Sequence, residues 1–287
     1  MPELRTLIDD IYKLFDEKEH HEPNEENLQA FADTMVSIIR TRLGKRPETS
    51  SPLRFSSLGR PDRQLWYMAQ NTAKEELSPK TYMKFLYGDI IEAFVLFLAK
   101  ESGHSVTDEQ REVEVSGVKG HIDCILDGAV VDVKSASPYG FKKFKDHSLL
   151  DNDPFGYIKQ ISGYSNVLTP EKAPAFLAFD KVSGDLCLME VSTSITAEHQ
   201  PGPRIEHLKA VIASPEMPER CYNPIPDGAS GNMKLGTECS YCAFKASCYP
   251  SLRTFIYSTG PRFLTKVAKV PNVPEVNTQD DTDGEEA

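Results

Sequence analysis

The chain has 287 residues, 39% of them hydrophobic, and a formal charge of -11. That length supports one large globular domain, or a core with a small accessory unit. No apolar run reaches bilayer-spanning length and no basic-then-apolar segment opens the chain, so a soluble cytoplasmic protein without a membrane partner is expected.

The acid is concentrated at the ends. Residues 1–30 and 271–287 each carry -6, which leaves +1 on residues 31–270. A near-neutral middle is compatible with phosphate backbones, particularly where metal ions add positive charge. The stretch 270–287 is acidic and poor in aromatics, the composition of a disordered tail.

Residues 1–50 hold two helix-like patterns, Leu7 to Phe15 and Leu28 to Leu43, read as an N-terminal helical accessory element. In the next segment Arg60 and Arg63 either contact phosphate or open a helix with Trp66 packed inward. Met83, Tyr87, Ile90, Ile91, Phe94 and Leu98 then fall at helical spacing, with Gly103 as the stop. Glu92 lies at the edge of that apolar stripe without a basic neighbour one turn away, which makes it a ligand candidate. The plain alternative is a solvated glutamate.

Residues 120–134 carry the strongest local signal. Asp127-Gly128 suits a type I′ turn, which needs positive φ at both central residues. A two-residue turn there opposes Leu126 to Ala129, Ile125 to Val130, Cys124 to Val131 and Asp123 to Asp132. Like charges directly opposed, with Cβ atoms roughly 5 Å apart, are destabilising unless a cation or a shared proton lies between them. Carboxylate oxygens suit Mg²⁺ or Mn²⁺. Period-two alternation sets Lys134 on the Asp132 face, with His121 expected opposite it. A polar hairpin face that simply meets solvent is the bland alternative.

Between residues 135 and 155, Tyr139, Phe141 and Phe144 alternate with Lys142, Lys143 and Lys145, a pattern that suits base stacking and phosphate contact or a surface helix with an aromatic underside. Tyr157 to Leu168 reads as a helix stopped by Thr169-Pro170, with Gln160 and Tyr164 on one face. Ala175 to Phe179 and Leu186 to Val191 form a further hairpin that extends the sheet.

Cys239, Cys242 and Cys248 form Cys-x₂-Cys-x₅-Cys, and Cys221 precedes them by seventeen intervening residues. In a cytosolic chain this spacing points to metal rather than disulfides. A Cys₄ set satisfies tetrahedral Zn²⁺ or a [4Fe-4S] cluster, and spacing leaves both open. Cys124 and Cys187 sit in apolar strand contexts and read as core thiols.

In chain order stand Gly88-x-x-x-Glu92, Gly120-x-x-Asp123, Asp132-x-Lys134 and Gln160-x-x-x-Tyr164. This ordered series, over roughly residues 55–250, resembles the RecB-like branch of the PD-(D/E)XK nuclease superfamily. The resemblance implies an α/β nuclease core over 51–220, built on a mixed central β-sheet flanked by helices, and a Cys-liganded segment over 221–265. It makes Glu92, Asp123 and Asp132 the metal ligands and Lys134 the catalytic lysine. Gln160 and Tyr164 would support the site and the nucleic acid. Glu92 stands where many members carry histidine.

The cysteine triplet is similar to that of iron-sulfur RecB-like members, including phage and CRISPR-associated exonucleases. Those take their remaining cysteine from a segment ahead of the core. Here that stretch, Ser56 to Arg63, has Pro61 at the cysteine position, and Cys221 is the nearby replacement. Resemblance favours iron-sulfur; a ligand set gathered in one local segment favours zinc.

The function implied is a Mg²⁺-dependent DNA exonuclease, a phosphodiester hydrolase of replication, repair or recombination. A phage-encoded chain would act in the host cytoplasm. Competing readings are a site- or structure-specific endonuclease, a catalytically inactive metal-stapled nucleic-acid-binding protein, and a structural replisome or recombination subunit. The expected partner is DNA. A helicase, a recombinase and a single-strand-binding protein are candidate protein partners, since the chain has no helicase signature of its own.

Overall fold

The computed structural model of the protein describes residues 2–18, 20–44, 53–70, 72 and 79–276. In chain order the helices and strands are α1 (Leu7–Lys13), α2 (Glu25–Leu43), α3 (Asp62–Ala69), α4 (Pro79–Glu101), β1 (Val106–Thr107), β2 (Glu112–Val115), β3 (Val118–His121), β4 (Cys124–Leu126) and β5 (Ala129–Ala136). They continue as α5 (Pro138–Lys145), α6 (Tyr157–Leu168), β6 (Ala175–Asp180), β7 (Leu186–Glu190), α7 (Thr193–Glu198) and α8 (Pro201–Ala213). The last are β8 (Ile225–Pro226), β9 (Met233–Lys234), α9 (Thr237–Ser240), α10 (Lys245–Cys248), β10 (Arg253–Tyr257), β11 (Gly260–Lys266) and β12 (Glu275–Val276). Among the described residues no helix is long and apolar enough to cross a membrane.

The chain forms two compact units. One is Met1–Gly59 with Leu77–Lys209, the other Arg60–Glu76 with Ala210–Ala287. The first is built on a mixed five-stranded sheet of order β1-β4-β5-β6-β7, in which β5 and β6 run parallel and the other pairs antiparallel. Alternation along β5 sorts its side chains between two faces. Ala129, Val131 and Val133 join a core with Ile91, Val95, Leu98 and Ala99 of α4 and with Leu7 and Ile11 of α1. On the other face Phe176 of β6 meets Phe144 of α5 and Tyr157 of α6, at ring separations of 5.5 and 6.4 Å. This is a sheet with helices on both faces, as expected.

The first helix of the N-terminal segment joins this core, whereas α2 buries no side chain. Leu4, Leu7 and Ile11 are buried in the same core as α4 and the sheet, because the apolar stripe of α1 covers strand side chains that would otherwise face water. The expected 51–220 core also needs redrawing. Leu53, Phe55 and Leu58 are buried and belong to the first unit, whereas α3 belongs with the C-terminal one. Within that second unit Trp66 Nε1 donates to the Ser214 carbonyl (2.9 Å), Arg63 donates to the Pro218 carbonyl (2.8 Å), and Tyr67 stacks on Phe244 at 5.4 Å.

The second unit carries an antiparallel sheet of order β12-β10-β11-β9-β8. It extends past the expected end at residue 265. Thr254 and Phe255 pair with Val276 and Glu275, so residues 275–276 form an edge strand rather than the beginning of a tail. Residues 277–287, the rest of the expected acidic tail, lie outside the described residues.

Candidate active site

The Asp-Gly hairpin forms as its sequence dictates. Asp127 and Gly128 have φ of +49° and +85°, and the register is Leu126↔Ala129, Ile125↔Val130, Cys124↔Val131. Beyond the last of these rungs the backbone leaves the sheet. The Asp123 carboxylate then takes over from the ladder, with Oδ2 accepting from the Val133 N–H at 2.7 Å. Asp132 is buried, and its carboxylate pairs with the ammonium of Lys134, two residues along the same strand face. The oxygen that Lys134 engages is Oδ2, which has no other partner among the described residues.

Two expectations fail in this stretch. Asp123 is not a rung opposite Asp132, because the paired register ends at Cys124↔Val131 and the Asp123 carboxylate caps Val133 instead. Residues 118–121 do not continue β4 but pair with β2 in a separate hairpin, so His121 lies opposite Glu112. Its Nε2 is 3.7 Å from the Glu112 carboxylate, and Lys134 faces Ala178 of β6 instead. The departure has a local cause. Asp108 and Gln110 both take positive φ (+53° and +54°), and this turns the chain out of the central sheet after β1.

Glu92, on the second half of α4, completes a carboxylate cluster. Burial, then the nearby Asp132, pushes its carboxyl up to about 7. Asp123 is raised well above the carboxylate range by burial, by Asp132 and by Glu92. Lys134 is desolvated, which opposes its charge, yet Asp132 and Asp123 outweigh that and hold the ammonium above its ordinary value. Its Nζ also lies 4.9 Å from the centre of the Tyr157 ring.

Tyr164 of α6 is buried and stacked on Phe55 at 5.0 Å. Burial raises its hydroxyl, and Asp132 and Asp123 add to the rise while Gln160 and Lys134 oppose it. Gln160 and Tyr164 thus lie at the same cluster as the carboxylates. Gly120 has a steric role there. A Cβ at that position would come within 2.4 Å of the Phe55 Cβ and 2.8 Å of the Tyr164 hydroxyl. Gly88 is different, since a Cβ there would meet only Ser135 Oγ, at an ordinary 3.5 Å.

On α5, Phe141 and Phe144 are buried, the aromatic underside of a surface helix, whereas Tyr139 is 72% exposed. Lys142 and Lys145 lie on its exposed side. Phe155 is exposed as well and packs 5.5 Å from Tyr157, which leads back to Lys134.

In the second unit Cys221, Cys239, Cys242 and Cys248 line one cavity together with Pro61, Arg63 and Tyr67. Cys239 is pushed up to about 12, by burial first and then by Cys242 and Cys248. Burial raises Cys221 too, against the backbone N–H groups of Arg63 and Gln64 at the start of α3. Pro61 and Cys221 therefore share a cavity, although 160 positions separate them. Arg63 is nine-tenths buried here and bound to the Pro218 carbonyl, so it does not offer its charge to a phosphate. Cys124 and Cys187 are buried on the first unit's sheet, as expected of core thiols.

No family model and no curated protein matches the chain. Among solved structures, one described as the crystal structure of SSO0001 aligns at a TM-score of 0.40 and 14% identity, covering 76% of this chain and 96% of that one.

The donor chemistry of both clusters suits a metal. Three neighbouring carboxylates, of which Glu92 and Asp123 are raised by burial and by Asp132, are oxygen donors of the chemistry that suits a hard divalent cation, although Asp132 Oδ2 is engaged by the Lys134 ammonium. Four thiols in one cavity suit Zn²⁺ or an iron-sulfur cluster. Among the described residues, no group of three or more His, Cys, Asp or Glu side chains is placed so as to hold a metal ion. Two contributors escaped the sequence reading. Tyr157 lies one turn before Gln160 and was legible from helical spacing. Gln110 lies in a loop and was not.

Proposed function

We propose that the first unit is a metal-dependent DNA nuclease of the RecB-like PD-(D/E)XK type, an exonuclease that hydrolyses phosphodiester bonds in replication, repair or recombination. The observation that carries this reading is the gathering of Glu92, Asp123, Asp132 and Lys134 into one cluster in which burial and the neighbouring Asp132 raise Glu92 and Asp123. Carboxylates crowded and buried in this way are costly to a fold and have no use in a purely structural sheet. DNA is the substrate in this reading, and Phe155, exposed and packed on the Tyr157 ring that lies by Lys134, is an aromatic surface next to the cluster.

Glu92, Asp123 and Asp132 would hold Mg²⁺ or Mn²⁺. When bound, such an ion polarises a phosphoryl oxygen and lowers the pKa of its water. Asp123 is fixed for this task by the Val133 N–H, which engages Oδ2. Lys134 keeps its proton at Nζ, so its part is to stabilise charge developing on the phosphate and to orient the attacking water, not to remove a proton. Tyr157 beneath the ammonium and Tyr164 against Phe55 wall the cluster with aromatic surface and limit water on that side. In the second unit the four cysteines would hold Zn²⁺ or [4Fe-4S] as a structural staple.

End-labelled single- and double-stranded DNA incubated with Mg²⁺, Mn²⁺ or EDTA tests the assignment. Metal-dependent cleavage is expected, reduced about 10²–10³-fold or more in Lys134→Ala. Absence of cleavage by folded, metal-supplied protein, or equal cleavage by the variant, would overturn it. The label released gives polarity, and internal products from closed circular DNA would point to an endonuclease.

A further inference from the structure

Gln110 stands outside all four motifs, yet it touches two of them. Its backbone N–H donates to the Asp123 carbonyl at 3.1 Å, and its side-chain Nε2 donates to Glu92 Oε1 at 2.9 Å. The residue lies in the connection from β1 to β2, where the chain leaves the central sheet. The same connection is tied to α4 a second time, since Glu109 Oε1 accepts from Lys100 Nζ at 2.5 Å. Consecutive residues of one loop thus clasp α4 at positions 92 and 100.

The backbone alone does not explain a glutamine here. At φ of +54° the left-handed conformation is unfavourable for a residue other than glycine, and Gly, Asn or Asp meets it better. Asn and Asp are too short to span to α4. A glutamine combines the turn with the reach.

We propose that Gln110 is a positioning residue for the metal-binding carboxylates. It engages Glu92 Oε1, leaves Oε2 for the cation, and couples the orientation of Glu92 on α4 to the backbone at Asp123. The inference rests on the nuclease reading above, which supplies the cation. Partners of this kind typically govern metal affinity by about 10–100-fold.

Two variants separate side chain from backbone. Gln110→Asn keeps a side chain that tolerates positive φ but loses the reach, and Gln110→Gly relieves the backbone while removing the side chain. Mn²⁺ affinity of the full chain is read from the electron paramagnetic resonance of free Mn²⁺, beside wild type and Asp123→Asn, with thermal unfolding in EDTA as the folding control. Both Gln110 variants are expected to bind Mn²⁺ about 10–100-fold more weakly while unfolding near the wild-type temperature. Cleavage by both should recover as Mn²⁺ is raised. Wild-type Mn²⁺ affinity in both folded variants would overturn the role of Gln110 and leave the nuclease reading standing. If wild type shows no Mn²⁺ binding that Asp123→Asn removes, both fall together.

Discussion

At the level of single residues, the cluster around Glu92 makes the fold pay for its chemistry, and pH exposes this. The Glu92 carboxyl moves from an ordinary 4.5 to about 7, through burial first and Asp132 second. A carboxyl whose folded value exceeds its unfolded one stabilises the fold fully below the unfolded value, and that contribution is lost as pH rises through the folded value. Without metal, Glu92→Gln should therefore be more stable than wild type at pH 8 by up to ~3 kcal/mol, and the gain should shrink toward pH 5. Urea unfolding in EDTA at both pH values measures this, and a pH-independent difference contradicts it. Gly120→Ala acts in the opposite sense. Its methyl meets Phe55 at 2.4 Å, so the variant should lose about 1–3 kcal/mol in the same assay. Asp123, Asp132 and Lys134 were legible because one Asp-Gly turn fixes register and alternation fixes face. Gln110 was not, because a loop residue with positive φ leaves no periodic trace.

At the level of elements, helix identity was easier to read than helix partnership. The bounds Tyr157–Leu168 follow from a periodic stripe and a left-handed Thr169 before Pro170, which removes the next backbone donor. The periodic stripe of α1 reveals amphipathicity but not what it covers, and the structure assigns it to the central core. Leu7 is fully buried there. Leu7→Ala should accordingly cost about 2–5 kcal/mol in urea unfolding, as a core truncation does. A loss below about 0.5 kcal/mol, usual for a surface site, would show that α1 is dispensable to the core. The break between β3 and β4 was hidden for a related reason. Residues 118–126 alternate well enough for one strand, but positive φ values at Asp108 and Gln110 and again at Ser116 and Gly117 turn the chain into a second hairpin.

At the level of the whole molecule, the carboxylate cluster and the cysteine cavity lie on two units whose sequences interleave. Spacing alone disclosed Cys239, Cys242 and Cys248, since thiols separated by two and five intervening residues must be near neighbours. The share of residues 60–69 in the same cavity was illegible, because nothing local links Pro61 or Arg63 to a cysteine some 160 positions on. Cys221 lies in that cavity too, its thiol raised by burial against the opposing Arg63 and Gln64 N–H groups, and in the reading proposed above it supplies the fourth thiol. A ligand set completed in this way ties metal binding to the folding of the second unit, because an unfolded chain has no such cavity. Protein purified without oxygen should carry iron with matching acid-labile sulfide, or one equivalent of zinc. Cys239→Ser should release that metal and lower the urea midpoint, while Mn²⁺ affinity at Glu92, Asp123 and Asp132 stays at the wild-type value. Retention of full metal content by Cys239→Ser, or an unchanged midpoint after its loss, would remove the cysteines from the protein's stability and leave them as ordinary thiols.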